Sequence, residues 1–116
     1  MLRCIIVEDD PGSQHYLKFL LERIGGIKVI GVYGNTVQAA LNVEKLKPDF
    51  ILLDINISGL DGPEFVELLD YQPKIIVITA HNEEYLKTNY DINYQFFIQK
   101  PIDEELLKKA IDTIKA

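Results

Sequence analysis

Five residues in this chain have side chains suited to capturing a phosphoryl group: Glu8, Asp9, Asp54, Thr79 and Lys100. A carboxylate can act as a nucleophile and carry phosphorus as an acyl phosphate. Phosphoryl transfer asks mainly for positioning and charge neutralisation, so a few acids, a lysine and a hydroxyl can suffice. In that chemistry Asp54 is the nucleophile. Lys100 is its countercharge at rest and the partner of the phosphoryl oxygens afterwards, while Thr79 donates its hydroxyl to the same oxygens. Carboxylates gathered in one place repel each other unless cations neutralise them. Lys100 supplies one cation, and a hard metal ion is expected as the other. Oxygen ligands without His or Cys select Mg2+, which keeps several waters and needs only one or two carboxylates. Asp9 is the expected direct ligand, and Glu8 ligates through water or positions the others. Asp54 and the backbone carbonyl of Asn56 complete the protein's share. The chain has no GxxxxGK[ST] loop and no GxGxxG, so no glycine-rich phosphate cradle competes with this reading.

Taken singly, each residue has a plainer reading. An acid at a strand end is commonly a helix cap, and Asp10, followed by Pro11, fits that description. Asp61-Gly62 reads as turn chemistry. Lys100 alone would be a surface lysine and Thr79 alone a β-former. The force of the pattern lies in convergence, which depends on the elements that carry these residues.

Short apolar, β-branched runs occur at residues 4–7, 29–32, 50–53, 75–78 and 96–98. Most are apolar on both faces, as central strands of a parallel sheet are. Between them lie helical stripes: Leu17, Leu20, Leu21 and Ile24; Val37, Ala40 and Leu41; Phe65, Leu68 and Leu69; Leu107, Ala110, Ile111 and Ile114. Pro11 suits a first helical turn, Gly25-Gly26 a helix end, Pro63 a helix start and Asp103 an N-cap. Residues 82–90 form the weakest helix, anchored only by Tyr85, Leu86 and Tyr90, which suggests a mobile element. Alternating β and α elements predict an α/β three-layer sandwich with right-handed crossovers. For five strands the flavodoxin-like (βα)5 order 2-1-3-4-5 is expected, with the site outside the carboxyl ends of the strands. Glu8-Asp9-Asp10, Asp54, Thr79-Ala80 and Lys100-Pro101 all follow strands, so they should meet on one rim.

At 116 residues the chain is expected to form one domain spanning 1–116, with ordinary hydrophobic content of 47%. No apolar run reaches membrane-spanning length, and the first residues read as a strand rather than a signal peptide. One cysteine, Cys4, excludes a disulfide framework and suits a reducing cytoplasm. The net charge of -6 and the scattered basic residues exclude unaided binding to nucleic acid.

The pieces Ile5-Ile6-Val7-Glu8-Asp9-Asp10, Ile51-Leu52-Leu53-Asp54, Gly59-Leu60-Asp61-Gly62, Ile78-Thr79-Ala80 and Lys100-Pro101 resemble, in order, the receiver domains of two-component response regulators. The resemblance runs over the whole chain. It implies phosphotransfer from a histidine kinase to Asp54, dependence on Mg2+, slow self-hydrolysis and no other enzymatic activity. It also implies a cis peptide between Lys100 and Pro101, and an aromatic switch residue at Phe97 that responds to Thr79. By strand alternation Phe97 points away from Phe96 and Ile98, toward the surface of an edge strand. Asn56 and His81 occupy positions that tune phosphoryl lifetime in the family; His81 also reads as a loop histidine without a task. Glu8 departs from the usual Asp. The stretch from Thr79 to Pro101 looks like receivers attached to LytTR-type DNA-binding domains, absent here, which would act on transcription. Homodimerisation on phosphorylation, through the fourth helix, fifth strand and last helix, is a further family expectation.

Three rivals belong to other classes. A haloacid-dehalogenase-like phosphatase would carry a second Asp where Asn56 stands. A flavodoxin-like electron carrier would not place acids at 8–10 beside a flavin phosphate. A pseudo-receiver that only binds partners is the remaining alternative, opposed by the intact set of five residues.

Overall fold

The computed structural model describes residues 1–116. Ten elements alternate along the chain: β1 (Leu2–Val7), α1 (Pro11–Ile24), β2 (Ile27–Tyr33), α2 (Thr36–Leu46), β3 (Phe50–Leu53), α3 (Gly62–Glu67), β4 (Lys74–Thr79), α4 (Glu83–Asn89), β5 (Phe96–Gln99) and α5 (Glu104–Lys115). The strands form one parallel sheet in the order β2-β1-β3-β4-β5, which is the flavodoxin-like arrangement expected from the alternation.

Side chains of successive strand residues leave opposite faces, and this divides the interior into two cores. Cys4, Ile6, Phe50, Leu52, Ile76, Ile78 and Ile98 face α1 and α5. Ile5, Val7, Ile51, Leu53, Ile75 and Val77 face α2, α3 and α4. The inner runs Cys4–Val7, Phe50–Leu53 and Ile75–Ile78 are therefore apolar, and the sequence shows each of them unbroken.

Helix boundaries follow local chemistry. Asp10 caps α1 by accepting from the Ser13 N–H at 2.8 Å, Pro11 opens the helix, and Gly25 ends it at φ 82°. That bond to Ser13 holds the Asp10 carboxyl below its usual range. Asp61 and Glu64 form a reciprocal capping box at the start of α3, so Asp61 works as a helix cap rather than as turn chemistry alone. Asp103 caps α5.

Two expected apolar stripes are corrected. In α2 the buried residues are Thr36, Ala39 and Val43, while Val37 and Leu41 lie outward, Leu41 at 68% exposure. The helix is turned so that small Ala39 meets the sheet closely and Thr36 finds acceptors inside the fold. In α3 Phe65 is fully buried, but Leu68 is exposed because the helix has already ended at Glu67.

The α4 helix is short, and Leu86 is its one buried residue. Tyr85 stacks outside on His81, with ring centroids 4.0 Å apart, so it holds the helix from without. A second tie was not visible in the sequence: the Tyr94 hydroxyl donates to Glu83 Oε2 at 2.6 Å, joining the loop before β5 to the first turn of α4. Burial, with the bond to Glu83, pushes the Tyr94 phenol up to about 12. Its contribution to stability is present below the ordinary tyrosine range and is lost as pH rises through about 12. A tyrosine absorbance titration should show a late component near that value, and Tyr94→Phe should remove it. If Tyr94→Phe instead removes amplitude in the ordinary tyrosine range and leaves the late component in place, the bond does not form in solution.

Candidate functional site at the carboxyl rim of the sheet

Glu8 follows β1, Asp54 follows β3, Thr79 ends β4 and Lys100 follows β5. Adjacent parallel strands bring their ends to one rim, and Lys100 closes the arrangement. Its Nζ donates to Asp54 Oδ2 at 3.0 Å and also to Glu8 Oε1. The remaining oxygens are held by backbone: Asp54 Oδ1 accepts from the Asn56 N–H at 2.9 Å, and Glu8 Oε2 from the Asp10 N–H at 3.0 Å. Both acids are nearly inaccessible, at 2% for Glu8 and 5% for Asp54. Burial pushes the Glu8 carboxyl above its usual range, against the opposing bonds from Lys100 and Asp10. Burial also works against the charge on Lys100, but its bonds to Glu8 and Asp54 outweigh this and raise its pKa.

Two carboxylates share one ammonium, so the buried cluster carries an excess negative charge when both are ionised. Such a site favours another cation. The donors at this rim are carboxylate and carbonyl oxygens, the chemistry of a hard ion such as Mg2+. No three Asp, Glu, His or Cys side chains stand together as a ready-made metal group. Lys100 draws Glu8 inward, whereas Asp9 remains exposed to solvent. A bound ion would take few protein oxygens, from Asp9, Asp54 and the exposed Asn56 backbone, and would keep waters. The residues fit Mg2+ on those terms.

Thr79 is fully buried. Its Oγ1 accepts a long bond from the His81 N–H at 3.5 Å, and its carbonyl accepts from the Lys100 N–H at 2.7 Å. The latter bond sets where the lysine stem leaves the chain. The Lys100-Pro101 peptide is cis. Phe97 pairs in register with Val77 and packs, half-buried, against the core that contains Leu86, Tyr90 and Tyr94. It lies on the α4 side as alternation requires, more covered than an edge-strand surface position would be.

Sequence reasoning missed that Lys100 serves two acids. The lengthened side chain of Glu8 was the available signal, since it can meet a lysine that starts three strand positions away in the sheet. It also missed Gln14, whose Nε2 donates to the Glu8 carbonyl, and Thr36, described below.

The doubly wound α/β sheet, with acids, a threonine and a lysine on its carboxyl rim, agrees with the resemblance carried by the sequence. The family model of the response regulator receiver domain matches residues 4–112, and the chain belongs to that family. The transcriptional regulatory protein BtsR of Salmonella typhi is 32% identical over 117 residues, covering 99% of this chain and 48% of BtsR. The chain thus spans about half the length of that relative. Among solved structures, the response regulatory domain of mrkE from Klebsiella pneumoniae is 26% identical with a TM-score of 0.84, covering 98% of this chain and 95% of the other. The receiver domain of the sensor histidine kinase PA1611 from Pseudomonas aeruginosa PAO1, solved with a magnesium ion coordinated in its active site cleft, shares the fold. Its TM-score is 0.84 at 24% identity, covering 99% and 98% of the two chains. No helix here is long and apolar enough to cross a membrane.

Proposed function

We propose that this receiver domain accepts a phosphoryl group on Asp54 from the phosphohistidine of a sensor kinase. The observation that carries the reading is the buried Asp54 carboxylate held between Lys100 Nζ and the Asn56 N–H. One Asp54 oxygen bonds to phosphorus as the bond from phosphorus to the imidazole nitrogen breaks, and that nitrogen takes up a proton from solvent. Mg2+, held by Asp9, Asp54 and the Asn56 carbonyl with Glu8 acting through water, would supply charge neutralisation at the phosphoryl oxygens. Lys100 moves from the Asp54 carboxylate to those oxygens. Thr79 donates its hydroxyl to them, and the same product is hydrolysed slowly without further enzymatic activity.

The new group adds about -1.5 to -2 charges next to Glu8, enough to bias a two-state element. Thr79 and Phe97 lie on the α4 face of the sheet, and the short α4 helix is the element they would bias. Its readout would be an output domain beyond this chain, a LytTR-type DNA-binding domain regulating transcription, or a homodimer through α4, β5 and α5. The domain itself would work in the cytoplasm and would not touch nucleic acid.

Incubation with acetyl phosphate and Mg2+ should add the mass of one phosphoryl group to the intact chain, and Asp54→Asn should abolish the gain. An unmodified wild type, or an equally modified variant, would sink this reading and favour a pseudo-receiver that only binds partners.

A further inference from the structure

The loop between β3 and α3 carries Asn56, whose N–H holds Asp54, yet few groups hold the loop itself. The donors that reach the carbonyls of Ser58 and Leu60 both come from Thr36, at the first position of α2. Its N–H donates to the Ser58 carbonyl at 3.3 Å. Its hydroxyl lies 2.7 Å from the Leu60 carbonyl and 3.4 Å from that of Ser58. With one hydrogen to give, the hydroxyl serves Leu60. Thr36 is fully buried, and a buried hydroxyl needs a partner.

Helix capping does not explain this residue. Asn35 already caps α2 by accepting from the Gln38 N–H at 2.9 Å, and the Thr36 hydroxyl reaches 24 residues along the chain instead. The loop is shaped to receive it. Gly59 sits at φ 103°, and a Cβ there would stand 2.6 Å from Thr36 Oγ1. Glycine is thus required for both its conformation and the close approach.

We propose that Thr36 is a positioning residue for the acceptor site. Its hydroxyl fixes residues 58–60 from the far side of the loop, and so sets the Asn56 backbone that faces Asp54 and would offer its carbonyl to Mg2+. The role rests on the acceptor reading of Asp54 and acts through Asn56, without contact to the phosphoryl group.

Thr36→Val keeps the shape and deletes the hydroxyl; Thr36→Ser keeps the hydroxyl. The experiment is a Mg2+ titration of the whole chain followed by the Asn56 amide signal in NMR, with no phosphodonor present. Thr36→Val should raise the midpoint by about threefold or more, short of the ~10–100-fold carried by groups that bond metal ligands directly, because Thr36 acts one step further out. Thr36→Ser should restore the wild-type midpoint. Gly59→Ala leaves the hydroxyl but drives a methyl against it, and should move the midpoint in the same direction as Thr36→Val. An unchanged midpoint in folded Thr36→Val or in folded Gly59→Ala, or an equal shift in Thr36→Ser, overturns the proposal. A wild type whose Asn56 amide ignores Mg2+ and which gains no mass with acetyl phosphate overturns the acceptor reading itself. The two failures are therefore distinguishable.

Discussion

Lys100→Met is expected to lose phosphorylation and stability together, with a pH dependence that identifies the cause. Lys100 Nζ is the one cation bound to Glu8 and Asp54. Methionine keeps an unbranched stem of similar length but leaves two buried carboxylates facing each other without countercharge. Breaking a buried ion pair from one side costs about 3–5 kcal/mol when the partner stays ionised. Burial already raises the Glu8 pKa in the presence of Lys100, and removing the lysine takes away the largest opposing influence. The folded variant therefore binds protons more tightly than its unfolded chain. Stability is kept below the unfolded carboxylate range and falls as pH rises through it toward the raised folded value. Urea unfolding in metal-free buffer should show a small gap between variant and wild type near pH 4 and the full gap near pH 7. A gap of equal size at both pH values would mean that packing of the lysine stem, not charge, is what matters. Phosphorylation by acetyl phosphate should slow by a factor on the order of 10², as for loss of one preorganised charge donor.

Phe65→Ala should be the most damaging single truncation on the α4 side of the sheet. Phe65 is fully buried, and α3 has six residues, of which only Gly62 and Phe65 are buried. Removing the ring leaves a cavity and costs about 3–5 kcal/mol. The loop to Asp54 then loses its downstream support, because the Asp61 capping box sits one turn before Phe65. The urea midpoint should fall with little change in slope, as expected when the same surface is exposed on unfolding. Leu68→Ala is the internal control. Leu68 is 59% exposed, and its loss should lie within about 0.5 kcal/mol of wild type. Equal losses from Phe65→Ala and Leu68→Ala would mean that the buried face of α3 is misassigned.

The sheet was legible in the sequence because burial on both faces leaves a run such as Phe50–Leu53 with no polar residue to confuse its period. The site was legible for a related reason. Acids and a lysine just past apolar runs have few structural uses in common, so their shared strand-end placement was informative. Helix facing was less readable. Val37, Ala40 and Leu41 make as good a stripe as Thr36, Ala39 and Val43, and only the partners of the Thr36 hydroxyl decide between them. Side-chain pairings between elements, such as Lys100 with Glu8 or Tyr94 with Glu83, join residues whose separation carries no periodic signal. They depend on side-chain reach after the fold has formed.

The division of the interior into two cores has a consequence for how the domain yields locally. The α1/α5 core joins two of the longer helices to all five strands, and it contains the four buried α5 side chains Leu107, Ala110, Ile111 and Ile114. The α4 side is covered instead by α2 and two short helices, α3 and α4. Opening of α3 or α4 exposes one face of the sheet while the ladder of strand hydrogen bonds and the opposite layer stay intact, which makes such openings sub-global rather than global. The sheet is in this sense a partition. Its two compartments lie on opposite faces, with Asp54 at the rim between them.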